Sequence, residues 1–382
     1  MFGIYLHIPF CRQACSYCNF FFSTRQKYRP DFVEQLLAEI KSYRDSAFGD
    51  DVAQTIYFGG GTPSQLSLEE VRRIMDTLGK VFNLQPEETT FEVNPDDVSP
   101  DYLQGLRDLG INRLSMGVQT FDSRFLTMMN RAHTRREAED SIRMIRETGF
   151  DTFNVDLMYA LPGQTMDQLL YDLDHFISFR PPHLSAYALT VEPRTRLGKQ
   201  IELGRLPMPD DDLGADMMEK VRRSLEANEI RQYEVSNFAL EGHQALHNHR
   251  YWEHVPYLGL GPGAHSFAWR NGRPDELGMR WWNRADLKSY LDEGGWEQKR
   301  ESEVLDLKKL GEERAMLGLR TLKGVTFKEL KDRYGYQLNN KQQQFLEHAR
   351  SMNWLEDSDR LCCTSDGLKR ADALALELLG KG

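Results

Sequence analysis

The feature that most narrows what this chain can fold into is an alternation. Short β-rich runs recur at 4–8, 55–58, 89–93, 113–118, 152–157, 184–189 and 232–235, each followed by a turn. Between them lie amphipathic segments such as 29–43, 68–82, 135–148, 166–179 and 210–228, with apolar residues at i, i+3 and i+4. A strand then a helix, repeated about six times, predicts a parallel sheet, because parallel neighbours need a crossover between them. Ser67 before Leu68-Glu69-Glu70 has the capping-box pattern, and Gly149 follows the last turn of its helix. The expected class is α/β over 1–236, where a (β/α) TIM-type barrel or partial barrel would carry its chemistry on the loops after the strand C-termini. The pattern leaves open whether the sheet closes.

The rhythm breaks over 237–302, a linking region rich in glycine that holds five of the six tryptophans: Trp252, Trp269, Trp281, Trp282 and Trp296. It reads as long loops or short hairpins. From 303 to 382, helices at 303–322, 326–334 and 340–352 lead into a polar turn, a strand at 360–364 and a last helix, which predicts a small α+β winged-helix-like domain. That strand would turn one of Cys362 and Cys363 inward and the other outward. DNA binding does not follow from the shape: this region carries 14 Lys and Arg against 13 Asp and Glu, and the whole chain has a net charge of -10. Proteins that grip phosphate backbones need clustered positive charge, so no nucleic-acid partner is expected. There is no secretory-signal pattern and no apolar stretch near the roughly 18 residues of a transmembrane segment. The expected location is cytoplasmic, where cysteines serve as thiols or metal ligands.

Three of the five cysteines, Cys11, Cys15 and Cys18, form C-x3-C-x2-C. These spacings let a loop wrap thiolates around one corner of an iron-sulfur cubane, holding three irons and leaving the fourth open. The bland alternatives are an incomplete three-cysteine zinc site and a chance cluster of buried thiols. No Cys or His follows within the next ten residues, which disfavours closed tetrahedral zinc. Gly59-Gly60-Gly61-Thr62-Pro63 follows the second strand, and a run without Cβ atoms lets backbone approach a small zwitterion. Glu92, Gln119 and Asp156 fall at or near strand C-termini, where such a barrel gathers polar ligand contacts, although each alone is an ordinary turn or cap residue.

In these motifs the chain resembles the radical S-adenosylmethionine (SAM) proteins, and among them the oxygen-independent coproporphyrinogen oxidase group. The likeness continues through Leu157 to Thr165 and into the C-terminal domain. It implies a partial (β/α) TIM-type barrel over 1–236 and a [4Fe-4S] cluster on Cys11, Cys15 and Cys18 whose open iron is chelated by SAM, with reductive cleavage of the C5′–S bond to a 5′-deoxyadenosyl radical. It also implies that Gly60, Gly61, Thr62 and Arg131 meet the methionine end of SAM. Glu92, Gln119 and Asp156 would bind the amine, ribose and neighbouring groups, with Tyr5 beside the cluster and Tyr17 near the adenine.

Two departures argue against porphyrinogen decarboxylation. The oxidases carry a further cysteine two residues after the third ligand, where this chain has Phe20, and an N-terminal extension, where only ten residues precede Cys11. A second stretch, "HNHRYW" from His247 to Trp252, followed by "PYLGLGPGAHS", resembles the H-N-x-x-Y-W signature of heme chaperones related to that oxidase. A neutral imidazole can ligate heme iron axially, and Tyr251 and Trp252 offer flat faces to a porphyrin. A histidine among aromatics is also the ordinary hydrogen-bonded core residue. His247 is the first candidate heme ligand, and His249, on the same face if this segment is extended, is the second. His254 and His265 are weaker candidates, and His7 is expected to support the cluster or the SAM pocket. The expectation is a heme chaperone holding a cluster, SAM and heme, which passes heme to acceptor hemoproteins such as respiratory enzymes, with a homodimer as a further expectation. The alternative is a radical enzyme that cleaves SAM and oxidatively decarboxylates a porphyrinogen.

Overall fold

In the computed structural model, which describes residues 1–272, 277–292 and 295–380, six strands lie parallel in chain order. They are β1 (Phe2–Ile8), β2 (Val52–Gly60), β3 (Asn83–Val93), β4 (Arg113–Gln119), β5 (Thr152–Tyr159) and β6 (His183–Ala188), each paired with the next. The helices Arg29–Ser42, Leu68–Val81, Pro100–Asp108, Arg135–Glu147 and Met166–Phe179 make the crossovers. Ser67, Thr134 and Thr165 each close a capping box at a helix start, so side chains satisfy backbone N–H groups the helix leaves free.

Alternate residues of each strand point to opposite faces. One face is apolar and covered by the helices, burying Ile4, Leu6, Ile56, Phe58, Phe91, Leu114, Met116, Val155 and Leu184. The other carries Tyr5, Tyr57, Glu92, Ser115, Asn154 and Asp156, whose side chains bond both along and across the strands. Tyr57 donates to Glu92 at 2.8 Å, and Asn154 donates to Ser115 at 2.7 Å and to Asp156 at 2.6 Å. This face is therefore polar, unlike the packed apolar interior of a closed barrel.

The expected seventh parallel strand at 232–235 is instead a hairpin. β7 (Arg231–Gln232) pairs antiparallel with β8 (Asn237–Ala239), which runs antiparallel to β6. Parallel growth resumes at the opposite edge, where β9 (Tyr257–Leu260) lies beside β1. β10 (His265–Trp269), β11 (Gly278–Trp282) and β12 (Glu301–Leu305) follow antiparallel. The result is an open 12-stranded sheet, ordered β12-β11-β10-β9-β1-β2-β3-β4-β5-β6-β8-β7. The stretch 237–302, expected to link, thus supplies one side of the main sheet; its residues 273–276 and 293–294 lie outside the described residues.

Between β8 and β9 the chain passes the N-terminal parts of β1 to β3 as a helix, Leu246–Trp252. Ala245 offers no side-chain cap, and Glu88 of β3 provides it, accepting from Leu246 N at 2.8 Å and His247 N at 3.0 Å. The segment is not extended, so His247 and His249 do not share a face. A second buried carboxylate, Glu39 on the Arg29–Ser42 helix, accepts from Gly261 N at 2.9 Å, Asn283 Nδ2 at 2.6 Å and Tyr290 Oη at 2.7 Å. It fastens the first crossover helix to the added strands.

The C-terminal helices Leu307–Leu319, Phe327–Tyr334 and Asn340–Ser351 pack with β13 (Val325–Thr326) and β14 (Arg360–Leu361), an antiparallel pair. The first begins later than expected, since 301–305 is strand and Asp306 is its N-cap. Leu310, Leu319, Leu330, Leu346, Leu361 and Leu374 form a separate core that continues onto Phe267 and Trp269 of β10. Cys362 and Cys363 lie beyond the end of β14 and are both buried, so neither faces outward. Among the described residues no helix is long and apolar enough to cross a membrane.

Removing the Glu39 carboxylate leaves Gly261 N and Tyr290 Oη without an acceptor and takes one of the two acceptors of Asn283 Nδ2, which keeps the Gly261 carbonyl. Glu39→Ala is expected to cost about 3 kcal/mol of stability, read as a lowered Tm in thermal denaturation.

Candidate functional site

The cysteine loop is clamped to the turn that follows the helix Ser123–Met128. Ser16 donates through N to Met129 O and through Oγ to Met128 O, both at 2.9 Å. Gln13 Nε2 donates to Asn130 O, and Asn130 Nδ2 donates back to Ala14 O, both at 2.7 Å. Asn130 takes φ of 54°, a left-handed conformation that asparagine tolerates better than most residues. The next residue, Arg131, donates to Cys15 Sγ at 3.3 Å, Asn94 Oδ1 at 2.8 Å and Gly117 O at 2.7 Å. Thr62 donates to Cys11 Sγ at 3.4 Å and accepts from Asn94 Nδ2 at 3.3 Å.

Cys11, Cys15 and Cys18 line a cavity of about 540 Å³ at the C-terminal ends of the strands. Tyr17, Gly60, Gly61, Thr62, Glu92, Gln119, Arg131 and Asp156 line it too. Of the expected SAM contacts, Tyr5 alone lies outside it, in an adjoining chamber. Gly60 has φ of +110°, and a Cβ there would stand 2.6 Å from His7 Nδ1; at Gly61 it would stand 2.7 Å from the Pro9 carbonyl carbon. Both positions need glycine, and the backbone stays bare toward the cavity. Gln119, with φ of 70°, ends β4 in a left-handed conformation where the register with β5 shifts.

Burial pushes the Cys11 thiol up to about 11, against the Thr62 hydroxyl, and raises Cys18 as well. Thiolates here need a cation, which a metal centre supplies. Among the described residues no three His, Cys, Asp or Glu side chains come together in a group able to hold a single metal ion. Three thiols lining one cavity suit a polynuclear cluster, in which each binds its own iron. Burial lifts Glu92 to about 7, opposed by the Tyr57 hydroxyl and the Gly60 N–H and reinforced by Asp156, itself raised by burial. Two enclosed carboxylates facing one cavity favour a ligand that brings positive charge or N–H donors. Bare glycine backbone, paired carboxylates and three thiols on one cavity together fit a [4Fe-4S] cluster with SAM beside it.

A second chamber, of about 510 Å³, shares Asn19, Phe20, Gly60 and Glu92 with the first. Tyr5, His7, Tyr251, Tyr257 and His265 add an aromatic lining, and Phe20, 71% exposed, stands at the junction. His7 bonds the Tyr5 hydroxyl at 3.2 Å and the Phe21 carbonyl at 2.9 Å. His247 lines neither chamber. It is 0% exposed, with Nδ1 2.8 Å from Thr55 Oγ1 and Nε2 2.8 Å from Tyr251 Oη. Burial lowers its pKa to about 3, so the ring is neutral and both nitrogens are committed. That is the geometry of the hydrogen-bonded core histidine, and iron coordination at Nε2 would require Tyr251 to leave. His249 also lines neither chamber and bonds Gln244 Oε1 at 3.0 Å. Asn94, Tyr57 and Tyr257 were not singled out in the sequence. Tyr57 belongs to the inward-facing set of alternate strand residues, a period-two signal that could have found it.

A profile of the radical SAM superfamily matches residues 5–176, and one of the HemN C-terminal domain matches residues 305–368. The chain is 36% identical over 333 residues to the heme chaperone HemW of Lactococcus lactis, covering 86% of this chain and 84% of that protein. It is 36% identical over 340 residues to the heme chaperone HemW of Bacillus subtilis, covering 88% and 87%. Among solved structures, coproporphyrinogen III oxidase (HemN) from Escherichia coli, a radical SAM enzyme, matches with a TM-score of 0.82 at 23% identity, over 99% of this chain and 89% of that one. That likeness is one of fold.

Cys15→Ala and Cys18→Ala are expected to abolish iron retention and charge-transfer absorbance after anaerobic reconstitution. Cys362→Ala and Cys363→Ala, in the separate C-terminal core, are expected to keep both.

Proposed function

The chain belongs to the HemW family of radical SAM proteins, and on that premise we propose that it is a cytoplasmic heme chaperone. It would bind heme and hand it to acceptor hemoproteins such as respiratory enzymes, with the cluster and SAM supporting transfer or the pairing of two copies. One observation carries this reading: an aromatic chamber opens beside the thiol-lined cavity, with Phe20 at the junction where the oxidase group has another cysteine. Flat aromatic walls suit a macrocycle, and both volumes fall in the range of small-molecule sites.

In this reading Cys11, Cys15 and Cys18 hold the cluster. Gly60, Gly61, Thr62 and Arg131 take the methionine end of SAM, and Glu92, Gln119 and Asp156 its amine, ribose and neighbouring groups. Tyr17 lies by the adenine, and Tyr5 borders the heme chamber. When bound, the cluster and SAM supply one-electron chemistry. The protein's own part is to hold these ligands: Arg131 sets a positive charge against the thiolates, and Tyr57 with Gly60 N fixes the Glu92 carboxylate.

Cluster-loaded protein titrated anaerobically with hemin is expected to bind it stoichiometrically and to leave coproporphyrinogen III unconverted. Release of carbon dioxide from that substrate at enzymatic rates would replace the chaperone reading with the radical-enzyme one.

Glu92 gives a second test. With its pKa near 7, the free protein holds a proton there at pH 6 that an amine ligand displaces by favouring the carboxylate. SAM binding at pH 6, followed by calorimetry in buffers of differing ionisation enthalpy, is expected to release about one more proton in wild type than in Glu92→Gln. That difference should fade at pH 8.

A further inference from the structure

We propose that His265, on the first residue of β10, is the axial ligand through which the aromatic chamber takes heme iron; the inference rests on the heme-carrier reading above. Among the described residues, His265 and His348 are the two of the chain's ten histidines whose ring nitrogens make no hydrogen bond. His348 packs against Trp354 in the C-terminal domain, with ring centroids 6.1 Å apart. His265 lines the chamber that adjoins the thiol-lined cavity.

The surroundings hold this imidazole in place without using its nitrogens. Its ring stacks on Trp282, centroids 5.5 Å apart and planes 19° apart, and the two residues are paired across β10 and β11. The backbone enters from a tight turn in which Gly261 and Gly263 have φ of +95° and +80°. Gly261 N donates to the buried Glu39 at 2.9 Å, so the turn is anchored to the first crossover helix. Burial first, then the charge of Arg280, hold the His265 pKa below its usual value, which keeps the ring in the neutral form that ligates metals. Coordination forms one Fe–N bond from an imidazole lone pair and transfers no electron or proton.

His247 has the opposite character. Its Nε2 engages the Tyr251 hydroxyl, and Tyr251 packs edge-on against Tyr257, centroids 4.7 Å apart, so that both tyrosines wall the chamber. His247 is therefore a positioning residue for this wall.

The test is an anaerobic hemin titration of cluster-loaded full-length protein, followed by absorbance and electron paramagnetic resonance. His265→Ala is expected to weaken hemin binding by about tenfold or more and to remove the histidine-ligated spectrum, since metal affinity falls at least this far when ligand support is lost. Free imidazole added to His265→Gly should restore that spectrum, which separates a lost ligand from a misfolded chamber. His247→Ala should retain the wild-type spectrum. If wild type binds hemin and His265→Ala matches it in affinity and spectrum, the assignment falls while the carrier reading stands. Loss of the spectrum in His247→Ala with retention in His265→Ala has the same consequence. A wild type that takes up no hemin overturns both.

Discussion

One guanidinium sets the geometry on which the rest of the site depends. Arg131 reaches Cys15 Sγ, Asn94 Oδ1 and the Gly117 carbonyl, joining the cysteine loop to the loop after β3 and to the end of β4. A planar fork with several fixed donors can serve three acceptors at once, which a lysine ammonium on its flexible stem does far less well. It also brings a permanent positive charge that works against the burial raising the Cys11 and Cys18 thiols. The clamp from Ser16, Gln13 and Asn130 is the mechanical half of this arrangement, and Arg131 is the electrostatic half.

Three buried or partly buried glutamates show how one residue type divides between holding the fold and serving the site. Glu39 and Glu88 are occupied by donors from segments distant in sequence, and each fastens a piece of chain that no local propensity would hold there. Glu92 is held by Tyr57 and Gly60 from the neighbouring strand but lines both chambers. A carboxylate held in place and still open to a cavity is the one suited to act on a ligand.

Much of the framework was legible because parallel strands must be separated by crossovers, so the local periodicities at 4–8 through 184–189 map onto β1 to β6. The far side of the sheet was not, since β9 to β12 are only four or five residues long and β9 finds its partner at the opposite end of the chain. The Leu246–Trp252 helix was missed for a related reason: it is short, and its cap comes from Glu88 rather than from its own sequence. The thiols, the glycine turn and the acidic strand ends could be read as motifs and share one cavity. The accessibility of histidines could not. His247 and His265 differ in where their elements dock, which sequence spacing does not report.

The pairing of β1 with β9 has a consequence for how this protein is made. β1 is made long before β9, and one of its edges has no partner until Tyr257–Leu260 has been synthesised. Such a non-local contact is slow to form, because the entropy of closing so long a loop is lost before the contact repays it. Until then the growing sheet carries an unprotected parallel edge along Gly3 to Leu6, open to pairing with other nascent chains. The strand that leads into the cysteine loop is thus completed late, and the yield of properly folded protein depends on a partner near residue 260 rather than on anything beside it.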